Sequence, residues 1–193
     1  MKKYHINSND MDIVQHIHRH TEDLQTGFVK LSAEQQKFLK LLALEFYFQL
    51  PEALAVIEAY MHTPIDKDKL LDDIRNGTTC WYKEIMVKRT EELDEYADDY
   101  EELEQIPIYI LNAFDHAIDD NNTTEGVVQL FLDMINTLDY YENFSEEPEY
   151  WNQLLEKEVV FQREMLAALA SGGRIDPLIY QKRYADVEFD TLV

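Results

Sequence analysis

Residues 32–50 read SAEQQKFLKLLALEFYFQL, and this stretch decides the class of fold. Ser32 followed three residues later by Gln35 is a capping box: the serine oxygen and the glutamine side chain each satisfy an amide that a helix start leaves free. Phe38, Leu41, Leu42, Leu44, Phe46 and Phe48 follow at helical spacing and cover most sides of the cylinder. A helix apolar nearly all round belongs in the middle of a bundle. No segment of the chain alternates apolar and polar residues for long enough to predict a strand.

Working outward, Val14, Ile17, Leu24 and Phe28 recur at helical spacing upstream, as an N-terminal helix appended within the first ~30 residues. Downstream, Pro51 suits the first turn of a helix running to about His62, and Asp66 opens a short helix that Asn76-Gly77 ends. Another helix starts near Thr79 and enters an acidic run. Pro107 begins an apolar helix to Ile118, and Asp119–Thr124 is a turn. Two long helices follow, from about Thr124 to Tyr141 and Glu149 to Ala170, the second closed by Gly172-Gly173. Residues 174–193 read as a partly frayed tail with one short helix. The expectation is a single all-α domain over residues 1–193, a compact bundle of about seven to nine helices.

Its charge is unusual. The 193 residues hold 39 acids against 17 bases, a formal net charge of −22. Such a field repels nucleic acid and anionic lipid, which are held by Lys and Arg clusters. It attracts cationic partners, although solubility alone also explains acidity. Cys80 is the only cysteine, so neither an intrachain disulfide nor a cysteine zinc site can form, which fits a reducing cytosol. The opening MKKYHINSNDMDIVQH turns polar at once, unlike a signal peptide, and residues 38–50 are too short and too charged to span a bilayer. The expectation is a soluble, cytoplasmic protein.

Residues 91–104, EELDEYADDYEELE, concentrate the charge. On a helix, Leu93, Tyr96, Ala97, Tyr100 and Leu103 share one stripe, and Glu91, Asp94, Glu95, Asp98, Asp99, Glu101 and Glu102 cover the opposite half. Like charges at i,i+4 cost a few tenths of a kcal/mol each. These seven carboxylates are therefore the candidate surface for a basic protein partner, with a merely solvated face as the plainer reading.

His16 and His20, at i,i+4 with Asp12 one turn earlier, are the weak candidates for metal ligation; HIHRH lacks the glutamate of a HExxH site. No Glu-x-x-His di-iron pair, P-loop, GxGxxG fingerprint or EF-hand spacing occurs, and no cofactor is implied. Nothing selects a catalytic carboxylate pair among 39, so no enzyme is expected. Trp81-Tyr82, Tyr140-Tyr141 and Tyr150-Trp151 place amphipathic aromatics at helix ends, as core residues or as interface anchors.

Residues 31–53 (LSAEQQKFLKLLALEFYFQLPEA), 107–118 (PIYILNAFDHAI) and 146–169 (EEPEYWNQLLEKEVVFQREMLAAL) resemble segments of the YjaG-like bacterial proteins of uncharacterised function, in the same order. The resemblance covers about residues 31–170 and implies a compact all-helical cytoplasmic domain without a catalytic motif. In size and charge the chain is also similar to immunity proteins of bacterial toxin systems, which bind a basic nuclease toxin and block it. The leading expectation is thus a non-enzymatic immunity protein for a cationic toxin. A YjaG-like housekeeping role, with self-association, is the alternative, and a metal site or enzyme on the His16/His20 helix the third.

Overall fold

The structure, a computed structural model, describes residues 13–92, 102–119, 124–190 and 192. Among these, nine helices follow one another: α1 (Ile13–Phe28), α2 (Ala33–Tyr47), α3 (Ala53–Met61), α4 (Lys67–Asn76), α5 (Cys80–Glu92), α6 (Gln105–Ile118), α7 (Thr124–Phe144), α8 (Pro148–Ala170) and α9 (Ile179–Arg183). No strand occurs among the described residues, only an isolated antiparallel bridge between Ser145 and Leu192. The all-α bundle expected from the sequence is the observed fold.

The local signals act where the sequence places them. The Gln35 amide donates to Ser32 Oγ at 3.2 Å and the Ser32 amide to Gln35 Oε1 at 2.9 Å, completing the capping box. Gln35 Nε2 also donates to the Leu169 carbonyl at 2.9 Å, so the start of α2 is tied to the end of α8. Asp66 caps α4 through the Lys69 amide at 3.0 Å, and Gly77 ends it at φ 68°, a left-handed conformation that costs glycine nothing. Pro51 does not enter a helix. It lies in a turn, and α3 starts at Ala53 after Glu52 has taken φ 53°.

Helix α2 is central, packed against α4, α6, α7 and α9. Leu39, Phe46 and Tyr47 are buried there, facing Phe131, Met134 and Leu138 of α7 and Phe114 of α6 in one core. Two boundary expectations change. Leu24 and Phe28 are fully buried, and α1 packs on α7 and α8, so this helix is part of the core rather than an appendage. The tail is not frayed over residues 179–189: Tyr180, Tyr184 and Phe189 are buried around Phe46, with ring centroids 4.9–6.2 Å from it. Aromatic burial of that area outweighs the polar residues between them.

Helices α7 and α8 form a hairpin joined by residues 145–147, and its closed end is held by aromatic stacking. Tyr141 lies against Trp151 at 4.4 Å, and both rings meet Phe189. Tyr141 Oη donates to the Phe189 carbonyl at 2.6 Å. The C-terminal segment is thereby fixed beside the hairpin turn. Among the described residues, no helix is long and apolar enough to cross a membrane.

Candidate functional site

Of the seven carboxylates proposed from residues 91–104, Asp94, Glu95, Asp98, Asp99 and Glu101 lie outside the described residues. Glu91 is exposed at the end of α5, where it borders a shallow apolar groove of ≈ 430 Å³ between α5 and α6. Glu102 is exposed in an irregular segment. Leu103, expected on a buried stripe, is 46 % exposed. The reason is local: Glu104 is the extended residue preceding α6, so the chain has left helical geometry before Gln105.

The histidines part company. His16 lies on α1, and its side chain is outside the described residues. His20 is buried, with Nε2 2.8 Å from Gln162 Oε1 on α8; burial holds its pKa below the ordinary value, against the effect of that hydrogen bond. Among the described residues, its Nδ1 has no hydrogen-bond partner. Among the described residues, no group of three or more His, Cys, Asp or Glu is arranged to hold a metal ion.

Gln162 extends from His20 into a buried polar network centred on Glu158, which is fully buried. Gln162 Nε2 and Tyr180 Oη donate to Glu158 Oε1 at 3.2 and 2.8 Å; Arg183 Nε and Tyr184 Oη donate to Oε2, both at 2.8 Å. Burial and the neighbouring carboxylate push both tyrosines well above the ordinary range. Arg183 is raised because Glu158 overcomes the opposing effect of burial, and its guanidinium lies 4.4 Å from the Phe161 ring centroid. One carboxylate thus meets four donors, which joins α8 to α9 from within. This is a structural lock, closed to solvent at the carboxylate.

The opposite regime governs the hairpin end. Asp139, Glu142, Glu146, Glu147 and Glu149 flank the α7–α8 turn, and Asp186, Glu188 and Asp190 are brought beside it by the C-terminal segment. None of these eight forms an ion pair with a described residue, whereas α4 and α5 neutralise Asp72, Asp73 and Glu92 with Arg75, Lys69, Lys88 and Arg89. Glu142 also sits in the last turn of α7, where the helix dipole disfavours it. Burial and the Glu142 charge raise the Asp139 pKa, while Tyr150 is raised by burial, Glu147, Asp186 and Glu188.

The same end exposes apolar surface. Phe144 is 53 % exposed and packs on Tyr140 at 4.5 Å; Tyr150 is 41 % exposed above the buried Trp151. The sequence pattern singles out Tyr140 and Tyr150, but neither Phe144 nor the acids around them. One signal was available: no Lys or Arg occurs between Arg89 and Lys157, nor after Arg183. No protein-family model, curated protein or solved structure matches the chain.

Proposed function

We propose that this chain is a non-enzymatic binding protein for a basic protein, of the immunity type, covering the cationic surface with which a nuclease-like toxin would hold nucleic acid. The observation that carries the reading is the segregation of charge. The net charge is −22, and among the described residues the ion pairs lie elsewhere, on α4 and α5 among other places, while no Lys or Arg pairs with the eight carboxylates at the hairpin end. Uncompensated like charges cost folding stability, and a cationic partner would recover that cost. Nucleic acid and anionic membrane are poor occupants of such a surface. A cytoplasmic location belongs to the same proposal.

The test uses the product of the gene encoded immediately upstream. The reading predicts a basic protein that this chain binds, with affinity falling severalfold as salt rises from about 50 to 200 mM. It also predicts that co-expression restores growth to cells making that product. A neutral or acidic product, or a basic one that does not bind, contradicts the reading. The YjaG-like alternative, self-association through exposed Phe144 and Tyr150, is opposed by the carboxylates that would meet their own copies. A salt-independent dimer in solution would favour that alternative.

A further inference from the structure

We propose that the partner docks on the α7–α8 hairpin end through an arginine-rich surface, whose guanidinium groups stack on Phe144 and Tyr150 while pairing with Glu146, Glu147, Glu149 and Glu188. This rests on the reading above that the partner is a cationic protein. What it adds is the place and the kind of cation.

The exposed apolar patch comes first. Phe144 and Tyr150 are the large aromatic side chains standing out at this end, with Leu192 (36 % exposed) beside the turn through its bridge to Ser145. The rings are not loose, because Phe144 rests on Tyr140 and Tyr150 meets Trp151 edge-on at 5.3 Å. A partner would therefore meet a surface already ordered, and ordering entropy would cost it little.

Charge selects the occupant. The rings are bordered by carboxylates that meet no described Lys or Arg, so an apolar partner would strand anions without counter-charge. A lysine-rich surface satisfies the carboxylates but leaves the rings less well covered. Arginine satisfies both, since its planar group stacks on an aromatic face and pairs bidentately with a carboxylate. The fold already contains this combination inside: Arg183 lies over Phe161 while donating to Glu158. The groove between α5 and α6 is a weaker place for the same partner, because Lys83 there already pairs with Asp115 at 2.8 Å.

The experiment titrates the isotope-labelled 193-residue chain with two soluble peptides of equal charge, one alternating Arg and Gly and the other Lys and Gly. Amide shifts and affinities are recorded at low and at physiological salt. The proposal expects the largest shifts within residues 139–152 and 184–190, and about threefold tighter binding of the Arg peptide. Phe144→Ala with Tyr150→Ala should abolish that preference and leave charge-driven binding in place. Neutralising Glu146, Glu147, Glu149 and Glu188 to Gln should weaken both peptides about tenfold, against a matched set at Glu34, Asp68, Glu84 and Glu164 that should cost less than half of that in log affinity. All substituted residues are exposed, and unchanged circular dichroism confirms folding. Shifts centred elsewhere, or equal binding of Arg and Lys peptides, overturn the docking face while the cationic-partner reading survives. No salt-sensitive binding of either peptide sinks both.

Discussion

Glu158 and Glu147 lie on or beside the same helix, and the molecule treats them in opposite ways. At the middle of α8, Glu158 is buried and receives four hydrogen bonds from Gln162, Tyr180, Arg183 and Tyr184. At its start, Glu147 stands exposed, among like charges and in no ion pair with a described residue. A carboxylate withdrawn from water must be met by donors, or it costs several kcal/mol or takes up a proton. One left in water tolerates the lack of a partner at small cost, and that cost is recoverable by binding. The fold therefore satisfies its buried carboxylate and leaves the hairpin ones to water.

The comparison breaks most visibly at Glu158. Glu158→Ala leaves two buried hydroxyls and Arg183 Nε without their acceptor, while Gln162 Nε2 keeps only the Phe131 carbonyl and a weak contact to Met134 Sδ, and should cost about 3–5 kcal/mol in urea unfolding. A cost near that of a surface substitution would mean that the network is not formed in solution. Trp151→Ala should cost a similar ~3–5 kcal/mol, since Trp151 is buried against Tyr141 and Phe189, while its exposed neighbour Tyr150→Ala should cost under about 1 kcal/mol. Equal losses would show that Tyr150 is a core residue and remove it from the docking face.

Acidification probes the interior from the other side. The folded pKa of His20 is held below its ordinary 6.5 by burial. The unfolded chain therefore takes up that proton first, and the stability contribution present above pH 6.5 is lost as the pH falls below it. The slope is at most about 1.4 kcal/mol per pH unit from this one group. His20→Gln should flatten the decline that begins as the pH falls below about 6.5, whatever its effect at neutral pH. An unchanged slope would place the decline on other groups.

Much of the frame was legible because its signals are local. Ser32 with Gln35, Asp66, and Gly77 are read from neighbours within four residues, and the apolar wrapping of residues 38–48 announced a central helix. What escaped depends on distant contacts. Tyr180, Tyr184 and Phe189 lie among charged residues in sequence, and only Phe46 and Glu158 reveal them as core. His20 resembled half a metal site until Gln162, 142 residues away, supplied its partner. The hairpin face joins residues near 146 to residues near 188, a juxtaposition that no spacing rule contains. The acidic run at 91–104 drew attention by density, whereas the described charge imbalance is a matter of missing cations.

The central claim is that the hairpin carboxylates are kept for a partner at the expense of stability. The most direct measurement is urea unfolding of the variant with Glu146, Glu147, Glu149 and Glu188 changed to Gln, at low and high salt, beside its affinity for the Arg peptide. The account predicts a variant more stable than the natural chain by about 0.5–1 kcal/mol at low salt, a gain that fades at high salt, and about tenfold weaker binding. A variant that is less stable, or that binds the peptide as tightly as before, would contradict it.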